Sequence, residues 1–178
     1  MGLLERIVGP MNSQRGWNGT LTGSGPTIFV HKNGTNQTGV VSGVDTVVTW
    51  SVTDMNFHGD FDFSTNDFFP RVSGRYLFFF NITWLSGMTD QTLIEAQIAN
   101  RPTRTGPYNV EPRSVDRRRT SGTGVHHAAT YLLEGADGDK TYRAQVRQES
   151  GTNQTINGDR KKTFLMIMLL PAGSSRGQ

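Results

Sequence analysis

The sequence predicts an all-β domain, and three observations carry that prediction. Tyr76, Phe78, Phe80, Ile82 and Trp84 recur at every second position, the period of a strand with a buried face. Twenty-one glycines among 178 residues, mixed with Thr and Asn, cut the chain into short runs, as in a sandwich or barrel. No stretch longer than about ten residues keeps a helical period.

The length suits one domain with a real core, or a domain plus an arm. There is no cysteine, which excludes disulfides, thiol nucleophiles and cysteine zinc sites. Met1 to Arg6 lack a basic region followed by a long apolar core, so no export signal is expected. No apolar run approaches the roughly 20 residues that cross a bilayer, and no membrane partner is expected. Asn-x-Thr sequons begin at Asn18, Asn33, Asn36, Asn81 and Asn153 and read as ordinary strand and turn composition.

Taken in order, residues 1–25 differ from the rest. Leu3, Leu4, Ile7 and Val8 would form one apolar turn, ended by Gly9-Pro10, and Trp17 stands alone among glycines. We expect an arm that orders against a partner by burying Leu3, Leu4, Ile7 and Trp17. Residues 26–172 are read as the folded domain and 173–178 as a tail. Ile28 to Val30 is a short strand and Lys32-Asn33-Gly34 a turn. Thr46 to Val52 reads as one continuous strand with Val48, Trp50 and Val52 on one face. Asp60 to Phe63 alternates, and Pro70 to Gly74 turns the chain into the central strand. Ile94, Ala96 and Ile98 alternate within the next strand.

Residues 100–124 read as a long polar excursion, too long for a hairpin loop. Strand period resumes over Ala128 to Leu133 and over Thr141 to Gln148, with Tyr142, Ala144 and Val146 inward. Gly34-Thr35-Asn36-Gln37-Thr38 recurs as Gly151-Thr152-Asn153-Gln154-Thr155, which we read as reused turn chemistry. Phe164 to Leu170 is apolar on both faces, so something must cover both. Phe79, on the back of the central strand, raises the same need, and oligomerisation answers it.

Phe68, Val72, Gly74, Tyr76 and Phe78 give an aromatic, a turn, Gly-x-aromatic-x-Phe. Gly138-Asp139-Lys140-Thr141-Tyr142 is a Gly-Asp entry to a late strand, and Thr163-Phe164 leads into Leu169-Leu170. In this order the three motifs resemble the jelly-roll superfamily of the complement globular head and tumour necrosis factor. The resemblance spans about residues 27 to 171. It departs at Pro70, one position early, at Thr141 in place of an apolar residue, and at Leu165-Met166, where a Ser-Gly pair is common. It implies a ten-strand jelly roll and a compact homotrimer, with Phe79, Phe164, Ile167 and Leu169 expected along the seam. Jelly rolls of this kind with an N-terminal arm resemble those of tailed-phage virions.

Function is weighed against that background. None of His31, His58, His126 and His127 forms a His-x-x-x-His or His-Glu-x-x-His pattern, and adjacent His126 and His127 would face opposite sides of a strand. No enzyme activity and no cofactor are expected. Asp60 with Asp62, and Asp137 with Asp139, offer oxygen ligands that could take calcium, although solvated turns account for them. Charge is uneven: residues 1–89 hold 5 basic and 6 acidic residues, and residues 90–178 hold 13 and 9, so the net charge is −1 and then +4. Six arginines lie between Arg101 and Arg119. Tyr108, Arg113, Arg117, Arg118 and Arg119 are therefore the candidate recognition surface, for an acidic protein lattice before a glycan or nucleic acid. The expected role is a non-enzymatic virion structural protein that decorates a capsid by docking its arm on the major capsid protein. The alternative is a receptor- or glycan-binding head of a tail or surface fibre.

Overall fold

A computed structural model describes residues 25–170 except 57–58, 86–87, 103–105, 111–115, 123 and 137–138. At 25–27, 89–91, 110, 116–122 and 135–136 only the backbone is described. Among the described residues the chain is all strand and turn, with no helix, and it forms a jelly-roll sandwich.

The first sheet has five strands in the order β11 (His126–Ala136), β7 (Gly74–Thr83), β14 (Phe164–Leu170), β1 (Gly25–His31), β4 (Val52–Asn56). The second runs β10 (Asp116–Gly122), β8 (Met88–Arg101), β12 (Thr141–Gln148), β6 (Asp67–Phe68), β5 (Phe61–Asp62). These ten strands are the predicted jelly roll. Two short strands extend the second sheet, β3 (Thr46–Val47) beside β12 and β9 (Asn109–Val110) beside β8. A separate ribbon pairs β2 (Gln37–Val40) with β13 (Gln154–Ile156).

The central strand behaves as its period dictates. Tyr76, Phe78, Phe80, Ile82 and Trp84 are all buried, facing Ile94, Ala96, Ile98, Tyr142, Ala144 and Val146 of the other sheet. Phe68 packs edge-on against both Tyr76 and Phe78, at 5.2 and 5.7 Å between ring centroids, the arrangement that aromatic quadrupoles favour. The Tyr76 hydroxyl donates to the Val72 carbonyl at 2.8 Å and so fastens the turn that enters β7. His126 and His127 do face opposite ways, His126 exposed and His127 buried.

Two expectations need correction. Thr46 to Val52 is not one strand. Val48 N–H still donates to Ala144 in the second sheet, whereas Ser51 N–H donates to His31 in the first. Between them Trp50 enters the core and its N–H donates to the Asn66 side chain at 2.6 Å. Here the chain crosses the sandwich, and the apolar run that looked like a strand is apolar because a crossing segment is buried.

Residues 100–124 are also not one loop. β8 continues to Arg101, and β10 returns antiparallel to it, with Arg117, Arg118 and Arg119 opposite Glu95, Ile94 and Leu93. A polar edge strand need not alternate hydrophobically, so its sequence looks like loop.

The repeated five-residue segment serves as turn chemistry in both places. Each copy feeds one strand of the β2–β13 ribbon, and each opens on a glycine of positive φ, Gly34 at 97° and Gly151 at 78°, a conformation that glycine adopts without steric penalty. Several sequon asparagines hold local structure: Asn36 Oδ1 accepts from Gly158 N–H, and Asn81 Nδ2 donates to the Lys162 carbonyl, both at 2.7 Å.

Candidate functional site

The outer face of the five-stranded sheet is apolar, and nothing in the described chain closes over it. Strand register fixes its composition. Opposite the core-facing residues of β14, the side chains of Phe164, Met166, Met168 and Leu170 point outward, each half-buried. On β7 the outward set is Leu77, Phe79 and Asn81. One row crosses the sheet through Met55, Phe29, Met166, Phe79 and Thr130. A second joins Met168, Leu77 and Leu132. Phe164 links Phe29 and Phe79, its ring centroid 5.6 Å from one and 5.7 Å from the other. One end of the face is polar, where Arg75 lies 4.0 Å from Glu134. His31 and Asn81 close the other.

Of the four expected seam residues, Phe79 and Phe164 lie on this face. Ile167 and Leu169 do not. A period of two sends them to the opposite side of β14, where Ile167 is 0% and Leu169 7% exposed within the chain's own core. The outward-facing residues between and beside them are Met166 and Met168. Met is unbranched and adaptable, so apolarity alone did not tell which set faced out.

On the second sheet, Tyr108 is engaged within the chain. Its hydroxyl donates to Asp67 Oδ2 at 2.5 Å, and Arg101 Nη2 stands 3.4 Å from the same oxygen. The guanidinium of Arg143 lies 3.3 Å from the Tyr108 ring centroid and that of Arg101 4.8 Å, a cation–π arrangement from two directions. Burial and the bond to Asp67 raise the Tyr108 pKa, and burial lowers that of Arg143. Asp67 is fully buried, and its Oδ1 has no hydrogen-bond partner among the described residues. Tyr108 thus clamps the segment after β8 onto the sheet. Arg101 and Arg143, which sequence reading did not select, are the residues it draws together.

Arg117, Arg118 and Arg119 run along the edge of the second sheet, their side chains not described, and Arg113 lies outside the described residues. Leu3, Leu4, Ile7 and Trp17 lie outside them as well. Asp60 carries an ion pair with Arg71 at 3.1 Å, and Asp62 accepts from the Ser64 backbone and hydroxyl. Asp137 is outside the described set. Among the described residues no three His, Cys, Asp or Glu side chains are grouped to hold a metal ion.

No family model matches the chain, and no curated protein matches it by sequence. Solved structures do. The Eiger tumour necrosis factor of S. frugiperda superposes with a TM-score of 0.56 at 11% identity, over 85% of this chain and 96% of that one. Murine APRIL gives 0.52 at 11% identity, over 83% and 100%. The globular domain of zebrafish complement 1qA gives 0.51 at 15% identity, over 82% and 97%. The chain therefore has the jelly-roll fold of tumour necrosis factor and complement globular heads.

Proposed function

We propose that this chain is the protomer of a non-enzymatic trimeric head that decorates a virion, docking residues 1–25 on the capsid lattice. The observation that carries the trimer is the outer face of the five-stranded sheet. Three phenylalanines, three methionines and three leucines lie contiguous there, each only half-buried or exposed. A patch of this kind is an association surface or an aggregation hazard. A closed trimer covers it with copies of itself, which is also what the resemblance implies. The mechanism would be mechanical, because an arm that reaches a neighbouring subunit adds buried area and resists separation.

Light scattering on the isolated chain and sedimentation with purified capsids test this. A trimer that co-sediments, and that stays folded and trimeric but no longer binds when residues 1–25 are deleted, supports it. A monomer overturns the trimer, and retained binding after deletion overturns the docking arm.

One observation favours a second reading, a receptor- or glycan-binding head. β10 sets three consecutive arginines along a sheet edge, opposite the strand that carries Arg101. Glycan-array binding that disappears when Arg117 to Arg119 become Ala would decide for it.

A further inference from the structure

His31 sits where the apolar outer face meets a cleft. It is 3% exposed, its ring 6.1 Å from that of Phe29, and its register partner on β14 is Phe164. The cleft is lined by His31, Lys32, Val52, Asn157, Asp159 and Arg160, among others. Imidazole Nδ1 lies 2.6 Å from the Lys32 carbonyl oxygen. A carbonyl only accepts, so Nδ1 carries a proton. Nε2 is buried, lacks a hydrogen-bond partner among the described residues, and stands 3.4 Å from Asp54 Oδ1 on β4, again an acceptor. With Nδ1 protonated, a neutral ring turns a lone pair toward a carboxylate. A cationic ring presents a second N–H instead. Only the imidazolium suits both neighbours.

We propose that His31 and Asp54 form a proton-operated latch on the oligomerisation face, so that the assembly tightens as pH falls. The proposal rests on that face being an interface between copies. Protonation converts an unmet buried nitrogen into an ion pair joining β1 to the edge strand β4. Asp54 Oδ2 is also 3.4 Å from Arg160 Nη2, so the same carboxylate draws in the turn that precedes β14. Both sides of the Phe29–Phe164 pair are then fixed.

The other charged groups around the ring are Asp159 and Arg160 on that turn and Lys32, which directly follows β1. Asp159 favours the cation, and Arg160 and Lys32 oppose it. The Lys32 ammonium is directed at Gln37 and Thr49, 2.9 and 2.8 Å away, not at the ring. On β14 the group beside His31 is Phe164, which carries no charge.

Sedimentation velocity over a concentration series, at about pH 8 and about pH 5.5, brackets the titration of an imidazole. The wild type is expected to associate more tightly at the lower pH, on the order of tenfold for one charge-assisted contact, while His31→Gln and Asp54→Asn each associate equally at both. An oligomer with no pH response, or one whose response survives Asp54→Asn, overturns the latch and leaves the interface standing. A monomer at both pH values overturns the interface and the latch with it.

Discussion

The Tyr108 hydroxyl meets the buried carboxylate of Asp67 at 2.5 Å, 41 residues away in the chain. Arg143 and Arg101 also flank the Tyr108 ring. Tyr108→Phe keeps the ring between the guanidiniums and removes only the donor. Among the described residues Asp67 would then keep one long contact, from Arg101, with Oδ1 already unmet. A hydrogen bond to a charged acceptor contributes about 1.5–3 kcal/mol, so thermal unfolding of Tyr108→Phe should show a loss of that order. An unchanged midpoint would mean that the clamp contributes nothing.

Lys32 is buried, and its ammonium is met by two neutral oxygens, those of Gln37 and Thr49. Burial lowers its pKa from 10.5 to about 8. Between those values the unfolded chain holds a proton that the folded chain has released, so stability rises with pH across that window. Lys32→Met should remove the rise and raise stability at neutral pH, where the native chain carries a desolvated charge. Urea denaturation at pH 7, 8, 9 and 10 reads both effects. A variant that keeps the wild-type slope would assign the effect to another group.

If the outer face is the interface, parity along β14 and β7 separates assembly from folding. Ile167→Ala empties a core position and should cost the fold about 2–5 kcal/mol. Phe79→Glu places a charge on the outer face beside Phe164 and should dissolve the oligomer while leaving a folded protomer. Circular dichroism together with molar mass distinguishes the two. A Phe79→Glu variant that remains assembled would remove this face from the interface.

Gly158 is glycine for lack of room. A Cβ there would come within 2.6 Å of the Gly34 carbonyl carbon and closer still to Thr35. The same two segments exchange a bond from Gly34 N–H to the Gly158 carbonyl at 2.8 Å. Gly158→Ala must push backbone apart and should cost about 1–3 kcal/mol. Gly34→Ala meets open space and pays only for its positive φ, about 1 kcal/mol. Equal losses in calorimetry would contradict this steric account.

The core was legible because its strands keep a period of two in large residues: Tyr76 to Trp84, Ile94 to Ile98 and Tyr142 to Val146 all face inward as read. The crossing at Val48 to Ser51 was not legible, since burial in a crossover and burial in a strand leave the same apolar run. β10 was missed for the opposite reason: Asp116 to Gly122 carries no apolar residue at all. Parity along β14 was ambiguous because Leu165, Ile167 and Leu169 are no more apolar than the intervening Phe, Met and Leu. Only the partner strands decide it. The His31–Asp54 approach joins residues 23 positions apart on adjacent strands, and no local pattern announces it.

β1 and β14 are neighbours at the heart of the first sheet, with Gly25 beside Leu169 and His31 beside Phe164. The opening and closing strands of the sandwich are thus the two that its middle requires. Until β14 is in place β1 pairs only with β4, and both β1 and β7 keep a bare flank. Closure joins His31 to Phe164, far apart in sequence, which makes this pairing a slow step of folding. A product truncated before Phe164 would expose two unpaired strand flanks at once, each inviting intermolecular pairing.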